Sequence, residues 1–194
     1  QAGRRLVGSA IPSAVHTCKR LETVFQRCFA ATENTLLVGG AEEPLYLPAS
    51  GPNGPHLLYY REDYAASALH EVAHWCIAGR ARRAQVDFGY WYAPEGRNAE
   101  QQRAFEAVEV KPQALEWFFA LACGRVFRIS VDNFGADGSL PDNTAFCRSV
   151  AEQARRYQQQ GLPDRARLFF NQLASEFGTG ASYQRLDFDA LDLS

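Results

Sequence analysis

The chain of 194 residues contains four histidines, and two of them, His70 and His74, bracket Glu71 in the pattern His-Glu-x-x-His. On an α-helix, residues four apart lie on one face with Cβ atoms roughly 5–6 Å from each other. Both imidazoles can then aim a nitrogen at one cation about 2 Å from each. Glu71 lies about 100° round the helix from His70, near such a cation without needing to bind it, where its carboxylate could move a proton. Two histidines four apart can also be polar core residues bonded to backbone. Their scarcity here, and the Glu at the metal spacing, favour a metal centre.

Two histidines rarely hold a catalytic metal alone; three protein ligands with open positions are the usual arrangement. Neither His16, in a first helical stretch, nor His56, in a loop, is well placed. A downstream carboxylate is the natural third ligand, and Glu106, Glu109 and Glu116 are available. Glu109 is preferred because it sits just before Pro112, where one helix is expected to give way to the next, and Glu106 is the second choice. The set leaves the chemistry open. It suits zinc in a hydrolase, with Glu71 as base for a metal-bound water. It also suits the facial triad of non-haem Fe(II) oxygenases. Spacing alone leans towards a zinc peptidase.

The elements that must position these residues can be read in outline. Residues 13–31 carry Val15, Cys18, Leu21, Val24, Phe25, Cys28 and Phe29 at helical spacing. Short apolar runs at 36–38, 45–47 and 57–60 read as strands, separated by Gly39-Gly40, Pro44 and a Pro- and Gly-rich loop over 48–56. The metal helix follows, with Leu69, Val72, Ala73, Cys76 and Ile77 on its apolar side, Asp63 or Ser67 as start signals and Gly79 as a stop. The aromatic stretch 86–92 is β-prone. If it ends beside the metal helix, it brings Asp87, Tyr90 and Tyr92 to the edge of the site. Asn98 caps a helix over 98–109, Pro112 interrupts it, and a second apolar helix covers 113–124. Residues 126–131 look like a strand, 132–142 like a loop, and 143–160 and 164–177 like two closing helices ended by Gly161 and Gly178.

Composition bounds the class. Hydrophobic residues make up 46% and charged residues 22%, the balance of a globular protein that buries a core. A net charge of −2 gives no sign of nucleic-acid binding, and no apolar run reaches the roughly 18 residues of a membrane span. The five cysteines are scattered and form no Cys-x-x-Cys pair, which points to small core residues in a reducing, cytoplasmic setting. The expected fold is α+β: a helix-rich single domain over residues 1–194, with a small sheet against the metal helix. By fold analogy its core should be metallopeptidase-like. Residues 1–12 and 178–194 are expected to be loosely ordered ends.

Longer blocks carry a resemblance. Residues 64–79, centred on Leu69-His70-Glu71-Val72-Ala73-His74-Trp75, resemble the bacterial elongation factor P hydroxylase family. So do Val86-Asp87-Phe88-Gly89-Tyr90-Trp91-Tyr92 and Val108-Glu109-Val110-Lys111-Pro112-Gln113-Ala114-Leu115. Weaker similarity at 43–49, Asp132-Asn133 and Gly161-Leu162-Pro163 extends the match over most of 20–170. The resemblance implies an oxygenase that hydroxylates the β-lysylated lysine of elongation factor P, in the cytoplasm and as a monomer. It implies one divalent metal, Fe(II) with zinc as the alternative, and dioxygen as co-substrate. The family's metal-binding pattern falls on His70 and His74, with the carboxylate at Glu109. On this reading Asp87, Tyr90, Trp91 and Tyr92 could receive the long cationic side chain. Arg80, Arg82 and Arg83 could meet an acidic partner surface. A zinc metallopeptidase and a non-catalytic protein with a structural metal remain as other readings.

Overall fold

The computed structural model describes residues 13–87, 96–131 and 142–194. Helix α1 (Ser13–Phe29) leads into strands β1 (Thr35–Ala41), β2 (Leu45–Leu47) and β3 (His56–Arg61), then helix α2 (Ala65–Ile77). A short 3-10 turn (Arg82–Ala84) precedes α3 (Ala99–Ala122), α4 (Thr144–Gln160) and α5 (Asp164–Glu176), and 3-10 turns at Tyr183–Arg185 and Ala190–Leu193 close the chain. The sheet has the order β1-β3-β2, with β1 parallel and β2 antiparallel to β3. This is the helix-rich α+β arrangement expected.

The core explains the order of the layers. On α1 the residues at helical spacing, Cys18, Leu21, Val24, Phe25, Cys28 and Phe29, are all buried. Phe25 and Phe29 meet Trp75 of α2 and Phe169 of α5 edge-on or tilted, with ring centroids 4.8–6.3 Å apart, a geometry that suits aromatic quadrupoles. α3 packs against α2, α4 and α5. Beyond Lys111 it is buried on nearly every side, with Leu115, Trp117, Phe118 and Phe119 in the core, as expected of a central helix rather than a surface one.

α3 also corrects the expectation of a break at Pro112: one helix of 24 residues runs through the proline. Proline inside a helix removes one backbone bond and crowds the carbonyl four residues earlier, at a cost of about 3 kcal/mol. Burial overrides that cost here, since Pro112 and its neighbours Glu109, Gln113, Ala114 and Leu115 are all buried. Val108, whose carbonyl loses its partner, lies on the exposed side. At the helix start Asn98 caps as expected: its side chain accepts from Gln101 N while the Gln101 side chain accepts from Asn98 N.

Other boundaries differ from expectation. α2 has no side-chain cap: its N-cap position is Tyr64, and Ser67 Oγ instead accepts from Arg61 N. The helix ends at Ile77, before Gly79, where Arg165 Nη2 donates to the carbonyls of Cys76 and Ala78. A guanidinium there satisfies terminal carbonyls and opposes the negative end of the helix dipole. Residues 126–131 form no strand. Their backbone is held by side chains instead: Gln113 on Ser130 and Arg97 on the Val131 carbonyl. The loop expected at 132–142 and the end at 1–12 fall almost wholly outside the described residues. All five cysteines are buried and unbridged.

The 178–194 tail is packed, contrary to expectation. Phe188 and Leu193 are buried. Phe188 meets Trp117 and Phe118 with centroids 4.8 and 4.5 Å away. Arg155 donates to the Phe188 carbonyl and Arg128 to that of Ser194. Acidic residues on the tail masked this, because its two apolar anchors are widely spaced. Phe188→Ala should therefore cost about 3 kcal/mol or more in urea unfolding; a change within about 0.5 kcal/mol, typical of surface positions, would show a tail that contributes little.

Candidate metal centre

α2 carries His70, Glu71 and His74, and α3 lies across its polar side, bringing Glu109 and Glu116 to the two imidazoles. Nε2 of His74 is 2.8 Å from Glu109 Oε1, and Nε2 of His70 is 3.6 Å from Glu109 Oε2. The two Nε2 atoms face each other at 3.1 Å. One ligand atom from each of His70, His74 and Glu109 lies within 4.8 Å of the others.

These separations fit one metal ion. Ligands at about 2.1 Å from a single ion, at angles between octahedral and tetrahedral, lie roughly 3.0–3.4 Å from one another. Electrostatics points the same way. Two ring nitrogens and a carboxylate turned towards each other leave acceptors facing acceptors unless a positive charge sits among them. Without metal, a proton plays that part. Burial opposes charge on His70, yet the carboxylates of Glu116, Glu109 and Glu71 outweigh it and push its pKa up to about 10. For Glu109, burial raises the pKa, but the hydrogen bond from His74 and the two imidazole charges bring it down to about 2. Glu71 is different: its burial dominates and raises its carboxyl above the ordinary range.

The surrounding shell fixes these atoms. His70 Nδ1–H donates to Glu116 Oε2 at 2.8 Å, which turns Nε2 of the same ring towards His74 and Glu109. A histidine whose outer nitrogen is held by a carboxylate is the usual support for a metal ligand. Glu109 is held in turn by Gln113, which is fully buried and donates from Nε2 to Glu109 Oε2 at 3.1 Å. The same amide is clamped by the backbone of Ser130: Nε2 donates to its carbonyl at 2.6 Å and Oε1 accepts from its N–H at 3.0 Å.

Of the carboxylates considered from sequence, Glu109 meets both histidines. Glu116, one candidate ligand, stands behind His70 instead, and Glu106 accepts from Gln102 one turn away along α3. His56 accepts from Ala49 N in a loop, and His16 is exposed on α1. Gln113 was missed from sequence. Its signal was spacing, since it follows Glu109 by four residues on one helix face, but the expected break at Pro112 hid that.

In the basic run after α2, Arg80 and Arg82 are exposed and Arg83 is half-buried. Arg82 pairs with Asp87, while Arg83 donates to Glu33 and lies over the Trp75 ring. Asp87 is reached as expected: it bridges antiparallel to Tyr46 of β2 and lines a small cleft together with Glu71 and His74. Tyr90, Trp91 and Tyr92 lie outside the described residues.

An α+β fold with two histidines and a carboxylate converging from crossed helices, beside a cleft lined by an acid, defines a candidate metalloenzyme centre. The sequence comparisons specify the family. The model of the elongation factor P hydroxylase family matches residues 24–188. The elongation factor P lysine hydroxylase of Haemophilus influenzae is 42% identical over 174 residues, 90% of this chain and 97% of that protein. The chain belongs to the elongation factor P hydroxylase family. Neither match supports the peptidase alternative.

Two outcomes follow from this geometry. Because His70 carries a proton until about pH 10, metal uptake at neutral pH should expel about one proton. The affinity should therefore rise with pH up to that value. Calorimetry in buffers of different ionisation enthalpy reads this directly, and proton-neutral binding would contradict it. Gln113→Leu should weaken metal binding about 10–100-fold, as loss of a ligand's hydrogen-bond partner does, measured by competition with a chelator.

Proposed function

We propose that this protein hydroxylates the β-lysylated lysine of elongation factor P, with one divalent metal, Fe(II), held by His70, His74 and Glu109 and with dioxygen as co-substrate. The observation that carries the reading is the convergence of those three residues in a chain matched across 24–188 by the hydroxylase family. Imidazole and carboxylate ligands suit Fe(II), and a site with three protein ligands has room for further ones. The metal, when bound, supplies the redox chemistry by which dioxygen is activated.

The overall change inserts one oxygen atom into a C–H bond of the side chain and releases the other as water. It consumes two electrons and two protons, so an external reductant is required. The protein's part is binding, orientation and proton handling. Glu116 holds the His70 ring by its Nδ1–H, and Gln113 holds the Glu109 carboxylate. Glu71 lines the cleft beside His74, and burial keeps its carboxyl ready to carry a proton. We assign it delivery of a proton from its carboxyl oxygen, a role favoured by a carboxyl that burial raises above the ordinary range. The partner is a whole folded protein, and the cleft beside Glu71 and His74 is where a side chain from it would approach the centre. We read the protein as a cytoplasmic monomer built as one domain.

The test is the intact mass of β-lysylated elongation factor P after incubation with this protein, Fe(II), a reductant and air. A gain of one oxygen atom with wild type, absent with His70→Ala, is expected. An unchanged mass with wild type would overturn the reading. Glu71→Gln should keep its metal yet lose about 100-fold or more in rate if the carboxyl carries a proton in the slow step.

A further inference from the structure

The cleft beside the metal centre is lined by two carboxylates, Glu71 and Asp87, and two guanidiniums, Arg82 and Arg83. The cations are held differently. Arg83 is built into the fold: its guanidinium bonds Glu33 at 2.9 Å and lies over Trp75, and its carbonyl accepts from Tyr46 Oη at 2.7 Å. Arg82 stands on the short turn Arg82–Ala84, its side chain is 43% exposed, and it pairs with Asp87. Asp87 is the fixed member of that pair. Its side chain is 20% exposed, and its backbone is tied to β2 by Tyr46 N–H to Asp87 O at 2.8 Å and Asp87 N–H to Tyr46 O at 3.0 Å.

The arrangement places a rigid carboxylate on the wall of a cleft whose deeper lining includes Glu71 and His74, 9% and 15% exposed. Leu58, Trp75 and Ala78 supply apolar surface between them. An aliphatic chain ending in a cation matches that lining, with its stem on the apolar wall and its charge on Asp87. Arg82 is itself such a chain. An ion pair whose guanidinium is 43% exposed is weakly held, so an incoming ammonium can take the guanidinium's place on Asp87.

We propose that Asp87 receives the ammonium of the lysine-type substrate side chain, and that Arg82 occupies this subsite as a stand-in until substrate displaces it. This rests on the proposed hydroxylation of a cationic side chain. Arg82 is thus a competitor built into the chain, and Asp87 a specificity determinant.

The experiment is calorimetric binding of β-lysylated elongation factor P to the metal-loaded protein without dioxygen, with turnover in air measured separately. Arg82→Ala should bind about twofold to fivefold tighter than wild type, the worth of an exposed ion pair. Asp87→Asn should bind about tenfold weaker or more, as loss of a charged hydrogen-bond partner does. Asp87→Glu should recover part of that loss, and the double variant should be as weak as Asp87→Asn. A merely structural ion pair would move both single variants the same way, together with their melting temperatures. That outcome, or unchanged affinities, overturns the proposal. Since binding is read without turnover, wild type that binds but does not hydroxylate refutes the proposed reaction. The opposite signs of the two variants then still decide the subsite.

Discussion

The structure turns on one electrostatic constraint: two imidazole nitrogens 3.1 Å apart and a nearly dry carboxylate share a space that needs a positive charge. Taking carboxylates out of water is costly unless each is paired. Three of them, Glu71, Glu109 and Glu116, are buried around one pair of rings. The fold meets this by making the rings the common partner. Glu116 is paired through Nδ1 of His70 and Glu109 through Nε2 of His74, while burial raises the carboxyls of both Glu71 and Glu116. A divalent cation held among these groups would supply the positive charge that the cluster calls for.

That demand explains why α3 is long and continuous. Glu109, Gln113 and Glu116 are spaced four and three residues apart, so one helix presents all three on neighbouring turns of one face. A break at Pro112 would set Glu109 on a separate helix from its holder Gln113 and from Glu116. Apolar packing of Leu115 to Phe119 beyond the proline anchors the second half, and the buried polar pairs anchor the first. The helix tolerates its proline because the cost of dividing the polar cluster is larger than that of one missing backbone bond.

The same comparison shows what could be read beforehand. His70, His74 and Glu109 were legible because chemistry leaves short-range marks: a motif at helical spacing and an acid near a second helix. The strands at β1, β2 and β3 and the Asn98 cap were legible for the same reason, since pattern and cap chemistry are local. What failed depended on contacts distant in sequence. The end of α2 is set by Arg165, 87 and 89 residues beyond the carbonyls it bonds. The backbone of 126–131 pairs with side chains rather than with a strand, and the tail is pinned by Phe188 against a helix some 70 residues earlier. Glu116 was visible as an acid near the motif, but whether it binds metal or backs a histidine depends on a crossing angle that no local pattern encodes.

The two histidines are not equivalent, and that gives the centre a direction. His70 is backed by Glu116, whose far side borders a separate cavity with Ala120, Phe127 and Arg128. His74 lines the cleft instead, beside Glu71 and beneath Asp87 on the edge of the sheet. One imidazole is therefore braced by the helix core, and the other looks towards arriving molecules. The apolar wall of Leu58 and Trp75 therefore leads to the centre from the His74 side, where Glu71 also lines the cleft. The apolar side of α2 fixes the helix in the core and its polar side carries His70 and His74, and among the described residues the cleft between α2 and β2 is the opening that reaches His74.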